Sequence, residues 1–159
     1  MPRLLLLNNV ILFLCCSIYL GTGITLVFFQ FPLEAKLTVD TYYLVFVEPV
    51  ANATEFFTTM TKVMLLTCII MLATEWFSGL RWVPVIVLTG VIAATLLTLY
   101  FIFPHNEAMT AGITDPQELK QTLESWMDLN RIRVSLWAVQ WSAMMYYFYN
   151  LARKARMNK

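Results

Sequence analysis

The sequence predicts an all-α fold, a bundle of four transmembrane helices with both termini cytoplasmic, and three observations carry the prediction. Of 159 residues, 59% are hydrophobic and 13% charged, well below the roughly 25% charged residues of a soluble domain. Four segments, residues 6–29, 56–76, 83–103 and 130–151, each approach the ~20 largely apolar residues that cross a bilayer as a helix. If all four cross, Arg3, Arg81, Arg153, Lys154, Arg156 and Lys159 fall on one side, against Lys36 and Lys120 in the two opposite loops. That bias marks the cytoplasmic side.

The first segment opens with Arg3 ahead of an apolar run, as a signal peptide would, but Asn8 and Asn9 interrupt it and no small-residue cleavage site follows. It reads as an uncleaved signal-anchor helix. The second segment holds Lys62. A short connection follows, with Gly79 to stop one helix and Pro84 in the first turn of the next, so the second and third helices are antiparallel neighbours. The fourth ends in Tyr146, Tyr147, Phe148 and Tyr149, the composition of an aromatic interface belt. Two longer loops lie outside. Residues 31–50, bounded by Pro32 and Pro49, carry the run Leu44, Val45, Phe46, Val47; too apolar for a free loop, they lie in the interface or fold over the bundle mouth. In residues 105–128, Thr114 or Asp115 caps a short helix begun by Pro116, whose face of Leu119, Leu123 and Trp126 lies on the membrane or on the bundle. By length the chain is one domain, residues 1–159.

Several function classes drop out. A formal charge of +1 leaves no basic footprint for nucleic acid. Cys15, Cys16 and Cys68 all sit in apolar runs and read as buried free thiols. No nucleophile elbow, phosphate loop, dinucleotide fingerprint or HExxH helix occurs, and no span holds the histidine that a haem would want. His105, the only histidine, lacks any recognised metal-ligand spacing and reads as an interfacial hydrogen-bonding residue. The expectation is therefore no cofactor and no metal, with acid–base or electrostatic chemistry as what the side chains can supply.

Those side chains concentrate at the outer end. Where the fourth helix would begin, residues 126–133 bring Trp126, Asn130, Arg131 and Arg133 together, and at helical spacing Asn130, Arg133, Trp137 and Gln140 share a face. Asn52, Glu55, Thr59 and Lys62 repeat that spacing if the second helix starts just after Pro49. Rising about 1.5 Å per residue from the same side, the two stripes set Glu55 level with Arg133 and Lys62 level with Gln140. This predicts a Glu55–Arg133 pair at the mouth and a Lys62–Gln140 contact below it. Lys62 faces the bundle interior or snorkels outward along its stem; Trp137 and Trp141 suit core or lipid-facing packing as readily as a site. Arg131, off the stripe, suits lipid headgroups. Gln30, Glu34, His105, Asn106 and Glu107 reach the same end, while the cytoplasmic half shows only Glu75, Trp76 and Trp82.

Pro104 and Asn106 closing the third helix, a long loop, and then Trp126, Leu129, Asn130 and Arg133 opening the fourth resemble the anthrone oxygenase-like family of small four-helix integral membrane proteins, a family mostly of unknown function. Gly21, Gly23 and residues 28–32 are a looser match. The resemblance implies that the chain, like some relatives, oxidises a lipophilic aromatic or quinone-like molecule with dioxygen and without metal or flavin; the matching positions are Asn106, Trp126, Asn130 and Arg133. On that reading Arg133 and Asn130 orient or stabilise an oxyanion, His105 or Glu55 takes a proton, Lys62 adds charge, and Asn106, Trp126, Trp137 and Gln140 contact the substrate. The alternative is a non-catalytic accessory subunit or small-molecule binder of a membrane complex, in which the same polar residues lock the helices together.

Overall fold

A computed structural model describes residues 3–157. Its regular structure consists of four helices, α1 (Arg3–Glu34), α2 (Tyr43–Glu75), α3 (Trp82–Ala111) and α4 (Pro116–Met157). By length and composition α1, α2 and α3 can each cross a membrane; α4 is long enough but less apolar.

Every helix outruns the span expected for it, and the connections shrink to residues 35–42, 76–81 and 112–115. The two longer outer loops are therefore not formed. Pro32, Pro49 and Pro104 suggest helix ends because proline lacks an N–H and its ring clashes with the carbonyl four residues back. The chain instead places a π turn just ahead of each, at Leu26–Gln30, Tyr43–Val47 and Thr98–Ile102. There the Phe31 N–H reaches the Leu26 carbonyl and the Phe103 N–H reaches that of Thr98, five residues back, so the helix widens and runs on. The short helix expected at Pro116 is the beginning of α4. Asp115 Oδ1 accepts the Gln117 N–H at 3.0 Å, and no Gly or Pro interrupts the chain from there to Met157.

The helices pack in an antiparallel register. Along α4, Trp126 meets Phe31 of α1 with ring centroids 5.9 Å apart, the Trp141 indole donates to Ser17 at 3.2 Å, and Asn9 donates to the Tyr147 hydroxyl at 2.9 Å. Two glycines set the spacing. A Cβ on Gly23 would stand 2.8 Å from Val134, and one on Gly90 2.7 Å from Gln140. Cys15, Cys16 and Cys68 are buried free thiols, as expected from their apolar surroundings.

Apolar burial divides into two clusters. One, which includes Leu12, Cys16, Met64, Val87, Met144 and Tyr147, fills the half towards the N terminus of α1. The other, with Leu26, Phe31, Tyr42, Phe46, Ile102 and Trp126, closes the opposite end. Tyr42 joins the two outer connections there: its hydroxyl accepts the Ile113 N–H at 2.6 Å and donates to the Met109 carbonyl at 3.2 Å. The segment around Phe46, expected to lie in the interface or over the bundle mouth, is instead the first turn of α2, with Phe46 packed against Trp126.

The half that looked almost featureless in sequence holds a buried polar relay. The Tyr147 hydroxyl accepts from Asn9 and donates to Glu75 Oε1 at 2.7 Å, while Asn8 donates to the Thr67 carbonyl at 2.9 Å. Tyr147 is fully buried, whereas Tyr146 and Tyr149 are exposed, so only the flanking tyrosines suit a belt.

Candidate small-molecule site

A cavity of about 750 Å³ opens among all four helices and is bordered by members of both apolar clusters. Each π turn contributes to its wall: Leu26 and Gln30 from α1, Val45 and Phe46 from α2, Thr98 and Ile102 from α3. Such turns shift side-chain register by inserting a residue, and they recur at functional sites for that reason. A second cavity of about 580 Å³ adjoins the first between α2 and α3, sharing Phe46, Val50, Thr54, Phe103 and Asn106.

Arg133 is the best-anchored charge in the wall. Its Nη1 donates to Thr98 Oγ1 at 3.2 Å, its Nη2 donates to Asn130 Oδ1, and the guanidinium carbon lies 4.9 Å from the centre of the Trp137 ring. Asn130 is fully buried behind it and donates to the Trp126 carbonyl at 2.8 Å. One turn of α4 thereby locks the arginine with neutral groups. Trp126 is fixed in its turn, since its indole N–H donates to Asn106 Oδ1 at 2.8 Å and its ring meets Phe46 edge-on at 4.7 Å.

Three buried polar atoms among the described residues have no hydrogen-bond partner: Arg133 Nε, Gln140 Nε2 and Glu34 Oε2. All three belong to residues that line this one cavity. Buried polar groups are normally satisfied; here the exceptions are spaced along one cavity on α1 and α4.

No protein-family model, curated protein or solved structure matches this chain significantly.

Of the residues singled out in sequence, Arg133, Lys62, Asn106, Trp126, Trp137 and Gln140 all line the cavity, and Asn130 stands directly behind it. Glu55 and His105 do not line it. Glu55 is exposed on α2, and the expected Glu55–Arg133 pair is absent: the ion pairs among the described residues are Lys120–Glu124 and Arg131–Asp128. The predicted stripe on α2 stays on one face of a regular helix, but Asn52, Glu55, Thr59 and Lys62 are all exposed, and the neighbouring face, with Ala53, Phe57, Thr61 and Met64, supplies most of what α2 adds to the cavity wall. Lys62 lines the cavity but is exposed and makes no hydrogen bond to Gln140, so the contact expected between them is also not formed. Arg131 pairs with Asp128 and sits 5.2 Å from the Phe31 ring. Among the described residues, no three of His, Cys, Asp and Glu gather closely enough to hold a metal ion.

Sequence reasoning missed Tyr19, Thr98 and the role of Glu34. Tyr19 shares a hydrogen bond of 2.6 Å with Thr61 at the cavity wall. Its signal was the single tyrosine of α1, close to Gly21 and Gly23.

Proposed function

We propose that the chain is a multi-pass membrane protein, crossing four times with cytoplasmic termini, whose cavity binds a lipophilic small molecule through a carbonyl or anionic oxygen. Exposed apolar side chains such as Leu14, Phe28, Leu66, Ile69, Leu96 and Phe101 support insertion, because a water-soluble surface does not carry so many. On α4 the outward residues between Ile132 and Tyr149 include Val139, Met145 and Tyr146, which suits lipid contact along a fourth crossing. The observation that carries the binding reading is the convergence of the three unpartnered polar atoms on one mostly apolar cavity. A guanidinium held by neutral partners keeps its charge available for an oxygen of the ligand.

The enzymatic form of this reading is anthrone oxygenase-like. A methylene across the central ring from an aromatic ketone is converted to a second carbonyl, consuming one dioxygen and releasing one water, with Arg133 stabilising the oxyanion of the deprotonated substrate. The non-catalytic form keeps the same contacts without a proton transfer; neither Glu55 nor His105 lines the cavity, and Glu34 is the carboxylate that does. Arg133→Ala tests both forms in phosphatidylcholine nanodiscs with naphthol and anthrone as probes. The expected result is a folded variant whose naphthol affinity, followed by tryptophan fluorescence, falls about tenfold or more, the worth of a hydrogen bond to a charged group. Unchanged affinity, or a loss of folding equal to the loss of binding, would overturn the site. Anthrone-dependent dioxygen uptake that vanishes in Arg133→Ala supports the enzyme; binding without uptake supports the binder.

A further inference from the structure

The three unpartnered atoms differ in sense and stand in a fixed order. Gln140 Nε2 and Arg133 Nε are donors, whereas Glu34 Oε2 is an acceptor. Along α4, Gln140 lies seven residues inward of Arg133 and Trp126 seven residues outward, about 10 Å of rise in each direction. Phe31 meets Trp126, and Glu34 follows three residues later on α1, so the carboxylate marks the outer limit of the cavity. Glu34 is only 8% exposed and is the one carboxylate in the lining.

Burial of an unpaired carboxylate and an unpaired guanidinium beside one cavity is costly, and the simplest relief would be an ion pair between them. That pair is not among those formed by the described residues, and the register sets Glu34 more than two turns outward from Arg133. Trp126 and Phe46 line the wall on the Glu34 side of Arg133, and Tyr19, Phe57 and Trp137 line it on the Gln140 side.

Resting on the binding reading above, we infer that the cavity selects elongated aromatic ligands with polar groups of opposite sense at their two ends: an acceptor or anion held by Arg133 and Gln140, and a hydroxyl or ammonium donor held by Glu34. A ligand with an anion at one end alone satisfies half of the wall. Selectivity for the second group is then a property of Glu34.

Two probes separate this from the general reading: a biphenyl carboxylate with a hydroxyl at the far para position, and the same acid without the hydroxyl. In nanodiscs the wild-type protein is expected to bind the hydroxylated acid about tenfold more tightly, as for a hydrogen bond to a charged acceptor. Glu34→Leu is expected to equalise the two acids, with circular dichroism in the same nanodiscs showing that the variant is folded. If Glu34→Leu binds neither acid, Glu34→Gln replaces it: a preference reduced to about threefold supports the inference, since a neutral acceptor is weaker, and an undiminished preference overturns it. Equal affinities in the wild type, or a preference surviving in Glu34→Leu, overturn the inference and leave the cavity reading standing. Failure of both acids to bind the wild type removes the cavity reading itself.

Discussion

Gly23 and Gly21 lie two residues apart on α1, yet an added methyl group meets opposite surroundings at the two positions. At Gly23 the new Cβ would stand 2.8 and 2.9 Å from the two γ carbons of Val134 and 3.0 Å from Trp137 Cε3, whereas at Gly21 nothing lies within 4 Å. Carbon atoms pack at about 3.5–4.0 Å, so Gly23→Ala must displace something. Val134 is β-branched and held in one rotamer within a helix, and Trp137 is buried; neither yields easily, so α1 must move off α4. Overpacking of this kind costs about 1–3 kcal/mol. Both substitutions share the helix-propensity gain of glycine to alanine, about 0.5–1 kcal/mol, and the difference between them isolates the steric cost. At about 2–4 °C per kcal/mol for a chain of this size, Gly21→Ala should melt about 2–12 °C above Gly23→Ala in detergent, followed by circular dichroism. Equal midpoints would refute the close contact of α1 with α4.

Two further outcomes follow from the same packing. Tyr147→Phe leaves Asn9 and Glu75 without the hydroxyl that links them; it should cost about 1–3 kcal/mol in denaturant titrations and leave naphthol affinity at the far end unchanged. Gly90→Ala places a Cβ 2.7 Å from Gln140 Cγ and 2.8 Å from Nε2, turning the amide away from the cavity; affinity for the biphenyl acids should fall about three- to tenfold, read by the same fluorescence titration.

The apolar runs made the helical class and the approximate spans legible, because burying a backbone in lipid leaves little besides helix. The stripe Asn130, Arg133, Trp137, Gln140 on α4 was equally legible, since an uninterrupted helix keeps the spacing on which the reading relies. The corresponding stripe on α2 misled. Its spacing holds in the regular helix Glu48–Glu75, but spacing alone does not say which face turns inward, and Asn52, Glu55, Thr59 and Lys62 stay exposed. Glu34 was placed at the right end but not as a buried residue, because a proline two residues before it marked the chain as loop, whereas the helix runs through the π turn at Leu26–Gln30 to Glu34 itself. Tyr147 was hidden by its neighbours: among four consecutive aromatic residues, only the three-dimensional packing of α1 on α4 distinguishes the one that turns inward.

The cavity separates the cap built on Tyr42, Phe46, Ile113 and Trp126 from the cluster that runs from Leu12 to Tyr147. Free energies of local opening need not be uniform in such a structure. Trp126 of the cap and Tyr147 of the packed half belong to one uninterrupted helix, so the two clusters are joined through α4 with the cavity between them. At the opposite end the hydrogen-bonded relay of Asn9, Tyr147 and Glu75 ties α1, α4 and α2 to one another, a polar fastening inside an otherwise apolar half.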